Sequence, residues 1–262
     1  MSMLAPVAGT GVIHRINPIA KLAAGAVIGI TVLLSLDAVS AGVALGLELL
    51  LAPFAGLSWR AFWRRTAPVW LAAVLGGLTI LLYGRSSGEV FFQFLLIQVS
   101  EGSVVLAVAT ALRVLAIALP AVVLSATIDP TDLADGLAQL ARLPARFVLG
   151  ALAGLRLMSL FADDWRSLTL ARRARGVADG GRVRRFVGQA FALLVLAIRR
   201  GSKLATAMEA RAFGAPGPRT WARPSRLTWR DAVLVLIGLT IAAAAVVSAV
   251  ATGAWNFIGT PA

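Results

Sequence analysis

Long apolar stretches separated by short polar ones organise most of the chain, and their lengths are typical of membrane-spanning helices. Each is close to the about 20 apolar residues that an α-helix needs to cross a bilayer. Five stretches have this length: residues 19–36, 38–57, 66–84, 104–128 and 232–252. The pattern predicts an all-α integral membrane protein, with an N-terminal membrane domain over residues 1–128 and a C-terminal membrane helix within residues 231–262.

The intervening residues 129–230 show a helical pattern of a different kind. Asp129 or Thr131 can cap the first helix of this segment, and Pro130 suits its first turn. Proline and glycine residues then divide the segment further. The expected helices cover about residues 130–142, 144–176 and 183–213.

Two apolar stretches inside this segment, residues 147–155 and 186–198, are too short to cross a bilayer on their own. If both crossed, the arginines between them would lie outside the cell, against the tendency of basic residues to remain cytoplasmic. We therefore interpret residues 129–230 as a cytoplasmic module of long crossed helices that lie near or under the membrane.

The composition agrees with a membrane protein, since 59% of the residues are hydrophobic, 14% are charged and the mean hydropathy is +0.85. The net charge of +13 is concentrated, because 18 of the 25 basic and 7 of the 12 acidic residues lie between Thr127 and Arg230. That interval carries +11 of the net charge. The positive-inside rule accounts for this excess and predicts five spans, with the N-terminus in the cytoplasm and the C-terminus outside.

Several classes of function find little support in the residues. The sequence has no cysteine and one histidine, His14, so thiolate metal sites, disulfides and His-based catalysis are not expected. No GxxxxGK[ST] loop is present, so the chain is not expected to hydrolyse ATP or to hold a cofactor or metal itself. The basic run at residues 171–185 lacks the interleaved aromatic residues that stack on nucleic-acid bases.

Four charged positions and one apolar patch invite a structural explanation. Arg113 interrupts the fourth apolar stretch and Glu48 lies in the second, which makes them a candidate intramembrane polar pair. Arg113 could instead extend its side chain to the outer interface. The Arg172–Arg173 doublet is expected at solvent or at lipid headgroups. The apolar patch at residues 90–99 is too short for a helical span, so it is expected to be an interfacial or re-entrant piece.

Two long helical patterns each end on an arginine between small residues. The two tripeptides are Ala174-Arg175-Gly176 and Ala210-Arg211-Ala212. Their small neighbours leave the arginine accessible, and its guanidinium can make paired contacts with carboxylates or carbonyls of another protein. A cation in the last turn also suits the negative end of the helix dipole. Each tripeptide is therefore a candidate docking tip.

The arrangement of these features resembles the transmembrane T component of energy-coupling factor transporters, a family that takes up vitamins and transition-metal ions. The resemblance extends from His14-Arg15-Ile16-Asn17-Pro18 with Lys21 to the last span, and includes an Asp-Pro-x-Asp-Leu motif at residues 129–133. Its most specific parts are residues 171–176 and 207–214, which contain the two small-Arg-small helix ends 36 residues apart.

The resemblance implies a complex with two ATP-binding-cassette ATPases and a small membrane subunit that captures the substrate, in the plasma membrane of a bacterium. Arg175 and Arg211 would dock into grooves of the two ATPases, which would hold the ATP and magnesium. Ala212 departs from the family pattern, in which glycine is usual. The long helices would transmit ATPase movement to the capture subunit.

Two other classes of function stay open from the residues. A membrane-bound enzyme could use Asp163, Asp164 and Glu209 as acid and base groups, although pairing of the two aspartates with Arg166 or Arg156 is the simpler interpretation. A stand-alone carrier or channel would depend on Arg113 and Glu48, and would transport its substrate without an ATPase.

Overall fold

The structure is a computed structural model that describes residues 12–35, 37–84, 87–94, 97–176, 181–215 and 220–255. Leu36 at the end of the first predicted span, residues 177–180 in a predicted helix break and Pro216 in a predicted helix stop lie outside the described residues. The chain forms two compact units, which we call the membrane unit (Met1–Leu133 with Ser225–Ala262) and the helical unit (Ala134–Pro224).

Eight α-helices and one β-hairpin make up the described part of the chain. The helices are α1 Pro18–Leu34, α2 Ala38–Leu51, α3 Trp59–Tyr83, α4 Glu101–Ser125, α5 Pro130–Gln139, α6 Ala145–Ala174, α7 Arg182–Ala210 and α8 Trp229–Ala251. The hairpin consists of β1 Val90–Phe94 and β2 Ile97–Ser100, and short 3₁₀ turns occupy Val12–Arg15 and Ala52–Ala55. The all-α membrane fold is thereby confirmed.

Five helices among the described residues are long and apolar enough to cross a membrane. They are α2 with its following 3₁₀ turn, α3, α4, α6 and α8, whereas α1 is an apolar helix of 17 residues. Length and composition therefore admit α6 as a span, although the positive-inside argument puts it beside the membrane. The topology of five spans, and the division at residues 128 and 230, stay predictions.

Helix α3 begins well before the apolar stretch that predicted it, at Trp59 instead of residue 66. The hydroxyl of Ser58 accepts a hydrogen bond from the backbone N–H of Ala61 at 3.4 Å, which caps the helix there. Arg60 and Arg64 consequently lie in its first turns. The apolar stretch marks only the part of α3 that is suited to lipid, and the helix itself extends beyond that part.

The described residues of the apolar patch at 90–99 form two antiparallel strands, and the interfacial or re-entrant placement of the patch stays a prediction. Val90 pairs with Ser100 and Phe94 with Ile97, with an irregularity between Val90 and Phe92. The backbone N–H and C=O groups of two paired strands hydrogen-bond to each other. A segment of this length can therefore satisfy its backbone near the membrane, although it is too short to cross the bilayer as a helix. The hairpin runs directly into α4, whose first turn is capped by Ser100.

Small residues allow the helices of the membrane unit to approach closely. A Cβ atom added to Gly238 of α8 would lie 3.2 Å from the backbone of Ala24 in α1. Similarly, a Cβ atom on Gly77 of α3 would lie 3.3 Å from the carbonyl oxygen of Ala107 in α4. Because lipid offers no hydrophobic drive between helices, such close backbone packing stabilises membrane helix bundles. The buried core of this unit accordingly includes Ala41, Ala44, Ala73, Ala116, Ala245 and Ala249.

The helical unit has a small core and two long, largely exposed helices. Ala134 and Ala138 of α5 pack with Val148 of α6, and Leu152 and Trp221 cover them. Beyond this cluster the described side chains of α6 and α7 are mostly exposed, and Gln189 is the buried residue of α7. Such helices bury too little apolar surface within the chain to account for their composition, so their faces are available to other partners.

Candidate functional site

The end of α6 places Arg175 on an exposed helix tip. Arg175 is the C-cap residue, and its backbone N–H donates to the carbonyl of Ala171 at 3.3 Å. The next residue, Gly176, has φ +66° and donates its N–H to the carbonyl of Arg173 at 3.1 Å. This left-handed termination is the one that glycine provides without steric cost. Ala174, Arg175 and Gly176 are all exposed.

Helix α7 ends in the same way around Arg211. Arg211 is the C-cap, Ala212 donates to the carbonyl of Glu209 at 2.9 Å, and Phe213 donates to that of Met208 at 2.9 Å. These two bonds define a Schellman motif. Ala212 has φ +54°, so alanine occupies the left-handed position that Gly176 occupies in α6. Ala210, Arg211 and Ala212 are exposed, and the two predicted docking tips therefore share one backbone geometry.

The left-handed alanine predicts a local gain in stability for Ala212→Gly. A non-glycine residue in the left-handed region destabilises the folded chain by about 1–2 kcal/mol. Glycine removes this strain, but its greater conformational freedom in the unfolded chain offsets about 0.4–1 kcal/mol of the gain. We expect the last turn of α7 to become more stable by ~0.5–1 kcal/mol, measured as slower amide hydrogen exchange at residues 208–213. Gly176→Ala should weaken the end of α6 by a similar amount.

Ala207→Gly is the matched control, because Ala207 lies inside α7 with ordinary helical geometry. There the same substitution should weaken the helix by about 0.5–1 kcal/mol. Faster exchange in Ala212→Gly than in the unsubstituted chain would contradict the left-handed geometry at this position.

Side-chain contacts of three kinds, aromatic, hydrogen-bonded and ionic, hold α6 and α7 together. The rings of Trp165 and Phe186 lie 5.5 Å apart between centroids. The Nε2 of Gln189 donates to the hydroxyl of Thr169 at 3.1 Å. A forked ion pair joins Arg200 and Asp164, in which Arg200 Nη2 lies 3.1 Å from Asp164 Oδ1 and Arg200 Nη1 contacts the other carboxylate oxygen. Such bidentate pairs fix orientation as well as distance.

The charged residues of α6 differ in their partners. Asp163 lies 3.9 Å from Arg166, as the sequence predicted, but both side chains are exposed and a surface pair of this kind contributes little. The prediction of Arg166 or Arg156 as partner was wrong for Asp164, which binds Arg200 of α7. The two neighbouring aspartates therefore have different partners, one on the same helix and one on α7.

The Arg172–Arg173 doublet separates into two environments. The Nη2 of Arg172 donates to the backbone carbonyl of Gly188 at 2.9 Å, and a Cβ atom on Gly188 would lie 3.1 Å from Arg172 Nη1. Arg172 is thus a structural link between α6 and α7. Arg173 is exposed and lines a cavity between the same helices.

Arg113 and Glu48 are not paired in the structure, which corrects the prediction of an intramembrane polar pair. Arg113 donates from Nη2 to the backbone carbonyl of Ser35, and the carboxylate with which it interacts electrostatically is Asp37. Both carboxylate oxygens of Glu48 are buried and have no hydrogen-bond partner among the described residues, and Glu48 lines an apolar cavity of about 110 Å³. The reason is positional, because α4 presents Arg113 to the turn between α1 and α2 instead of to the body of α2.

That turn is a local polar cluster. The backbone N–H of Ser40 donates to Asp37 at 2.5 Å, its hydroxyl donates at 2.7 Å, and the hydroxyl of Ser35 also donates to Asp37. Burial alone would raise the pKa of the Asp37 carboxyl, but these hydrogen bonds outweigh it and hold the pKa below its usual value. Asp37 therefore stays ionised as the counter-charge of Arg113.

The other end of the membrane unit contains a buried cluster around Lys21. The Lys21 side chain is 1% exposed, and its Nζ donates to the carbonyl and the hydroxyl of Thr127, each at 3.0 Å. Asp132 and Asp231 are the acidic groups that interact with it electrostatically. Asp231 also accepts the backbone N–H of Asn17 at 2.6 Å, which ties the start of α1 to the first turn of α8.

The residues before α1 belong to the same region. Asn17 caps α1 by accepting the N–H of Ile19 at 3.0 Å, and its amide donates to the hydroxyl of Ser225 at 2.9 Å. The pKa of His14 lies below its usual value because of burial and the positive charge of Lys21. His14 is therefore neutral at pH 7.

Sequence reasoning singled out Lys21 and Asp132 only within two separate motifs and did not include Asp231. The Thr-x-x-Asp pattern at Thr228–Asp231 is a capping-box signature, which could have identified Asp231 as the cap of α8. Its bond to Asn17 joins residues 214 positions apart, and no local pattern contains that information. Among the described residues, no group of three or more metal-binding side chains comes together.

An apolar helix bundle, continued in the same chain by two long exposed helices, defines an all-α integral membrane protein. The model of the family described as "CbiQ: Cobalt transport protein" matches residues 9–220. The chain therefore belongs to the CbiQ/EcfT family, the transmembrane components of energy-coupling factor transporters.

Curated relatives in several bacteria share most of the chain. Each of three is described as "Energy-coupling factor transporter transmembrane protein EcfT". The protein of Brevibacillus brevis is 27% identical over 247 residues, which are 90% of this chain and 93% of the relative. That of Bacillus subtilis is 28% identical over 256 residues, covering 90% and 94%. That of Limosilactobacillus fermentum is 30% identical over 184 residues, covering 65% and 67%.

Proposed function

We propose that this chain is the coupling subunit of an ATP-driven uptake transporter for a vitamin or a transition-metal ion. It binds two ATP-binding-cassette ATPases and a small membrane subunit that captures the substrate. One observation carries the proposal: α6 and α7 end in the same exposed cap, each with an arginine at the C-cap. Two equivalent tips suit two equivalent docking grooves, one on each ATPase.

The contacts between α6 and α7 supply a mechanism for transmission. ATP binding draws the ATPases together, and the two tips follow them. Because the Arg200–Asp164 pair and the Arg172–Gly188 bond join α6 to α7, displacement of one helix moves the other. Rigid-body movement of packed helices is a common form of coupling.

The exposed apolar surface of these helices supports a membrane-embedded partner. Several large apolar side chains are more than half exposed: Phe147, Leu155, Met158, Phe186, Phe191, Leu194, Val195 and Ile198. Contiguous apolar surface of this kind marks an interaction with protein or lipid. The capture subunit would rest on this surface and change its orientation when the helices move.

In this proposal, ATP and substrate bind to the partner subunits and not to this chain. The sequence lacks a phosphate-binding loop, so ATP and magnesium would bind to the ATPases. The capture subunit would select the substrate, and this chain would transmit movement to the capture subunit without binding the substrate itself. In this scheme the chain itself catalyses no reaction.

The composition of the purified assembly tests the proposal. An affinity-tagged chain, isolated from its own host in mild detergent, should carry two ATPase domains and one small membrane subunit, counted by mass spectrometry. The assembly should hydrolyse ATP and the isolated chain should not. A chain that purifies alone and transports substrate in liposomes without an ATPase would instead be a stand-alone carrier.

A further inference from the structure

A basic cavity lies between the C-terminal part of α6 and the N-terminal part of α7. Its volume is about 430 Å³, well above the ~30 Å³ that one water molecule occupies in the liquid. The residues that line it include Trp165, Thr169, Arg173, Arg185 and Gln189. None of these residues belongs to the two docking tips, and the proposed coupling mechanism gives the cavity no role.

The two arginines of the cavity lack a described counter-charge. Arg173 comes from α6 and Arg185 from α7, and none of the described lining residues is acidic. The carboxylates of the helical unit that form described ion pairs are Asp163 and Asp164, which are engaged by other arginines. Two guanidinium groups that share a cavity repel each other, so an anion between them would be bound favourably.

The remaining walls define what kind of anion fits. Trp165 and Phe186 form an aromatic wall, with ring centroids 5.5 Å apart. The amide of Gln189 is 3% exposed and is held by the Thr169 hydroxyl, so the polar floor is fixed. Val183 and Phe186, which both line the cavity, are 77% and 60% exposed. A ligand with an anionic head and an apolar continuation matches this distribution better than a small soluble anion.

The helix that forms one wall favours lipid as the source of that anion. The N-terminal part of α6 is apolar enough by length and composition to lie in a membrane, with 6% of its most apolar window buried within the chain, and the cavity residues follow on the same helix where the charged residues begin. Basic pockets on such helices bind the headgroups of anionic phospholipids. We propose that Arg173 and Arg185 bind the phosphate of an anionic phospholipid, whose glycerol backbone lies against Trp165 and Phe186.

Native mass spectrometry of the purified assembly, titrated with dioleoylphosphatidylglycerol, tests this site. Arg173→Gln with Arg185→Gln should weaken binding of the first lipid about 30-fold, which is ~2 kcal/mol at about 1 kcal/mol for each basic residue. Arg156→Gln with Arg199→Gln is the matched control, because it removes the same charge from exposed positions of the same helices outside the cavity. The control should bind lipid within about threefold of the original.

Three results would overturn the proposal. Equal loss of lipid in both double variants would show general electrostatic attraction without a site. Competition by inorganic phosphate or glycerol phosphate at the affinity of the lipid would show a soluble anion as the ligand. Loss of an ATPase from the Arg173→Gln, Arg185→Gln assembly, with lipid binding unchanged, would show that these arginines meet protein carboxylates.

A second variant distinguishes loss of the lipid site from loss of folded structure. Trp165→Leu keeps both arginines and removes the aromatic wall, so it should weaken lipid binding by about tenfold, within the range of an aromatic side chain at an interface. The helical content of each variant, measured by circular dichroism, should equal that of the original. Unchanged lipid affinity in Trp165→Leu would place the lipid outside this cavity and would also overturn the proposal.

Discussion

A chain that carries both Arg175→Glu and Arg211→Glu is expected to lose its ATPases during purification and to lose ATP-driven uptake, while it still inserts into the membrane. Both arginines are exposed C-cap residues, and their described contacts are made by the backbone. The substitutions therefore cost the fold little. At an interface, loss of a buried charge pair costs about 2–5 kcal/mol, and reversal adds repulsion. Two such losses are enough to dissociate the assembly.

The matched control reverses two charges in the bodies of the same helices, as Arg166→Glu with Lys203→Glu. These residues lie nine and eight positions before the docking arginines. The measurement is the yield of each ATPase relative to the tagged chain, with membrane insertion followed by protease protection. Recovery of both ATPases at the original yield from the Arg175→Glu, Arg211→Glu chain would refute docking through the helix tips.

Each single reversal should affect one ATPase site. Arg175→Glu alone should leave the assembly attached through Arg211, and Arg211→Glu alone should leave it attached through Arg175. We expect an intermediate ATPase yield from each and the full loss only in the double variant, as independent sites require. Complete loss from one single variant would show that one tip carries nearly all of the docking energy.

Lys21→Met is expected to destabilise the membrane unit by about 1–3 kcal/mol, the range for leaving a buried hydrogen-bonding group without its partner. Lys21 is 1% exposed and gives Thr127 two hydrogen bonds. Without it, the Thr127 carbonyl loses its donor and the charges of Asp132 and Asp231 lose their described cation. The effect is a lower midpoint of thermal unfolding in detergent and a lower yield of folded chain.

Lys203→Met is the control, because it removes a lysine from an exposed position of α7 and should change the midpoint little. Lys21→Arg keeps the charge in a different shape and should recover part of the lost stability. In a double-mutant cycle, Lys21→Met and Asp231→Asn should be coupled by more than ~0.5 kcal/mol, the size of ordinary non-additivity. Additive effects would show that Lys21 and Asp231 do not form one cluster.

The two docking tips show how much of the site the sequence contained. The predicted ends of α6 and α7 agree with the structure within three residues, because glycine, proline and small residues stop a helix through local backbone effects. The sequence also located the arginines at those ends. It did not show that Ala212 takes the left-handed conformation of Gly176, which depends on the hydrogen bonds of the completed cap.

Arg113 and Arg172 show what sequence could not provide. Arg113 binds the carbonyl of Ser35, 78 residues away, although Glu48 was the more obvious partner by charge. Arg172 binds the carbonyl of Gly188 and leaves its neighbour Arg173 to line a cavity. In both cases the acceptor is a backbone oxygen, which every residue possesses, so residue type gives no signal.

The sequence by itself determined that the chain is helical and apolar enough for a membrane, where α6 and α7 end, and which arginines stand at their tips. These properties follow from local hydrogen bonding and from the free energy of placing side chains in lipid or water. The tertiary structure alone decided the partners of the buried charges. Lys21 meets Thr127, which follows α4. Asn17 meets Asp231 214 residues away, where small residues such as Ala24 and Gly238 let α1 and α8 approach closely. Those pairings depend on helix packing in three dimensions, which residue spacing along one helix does not encode.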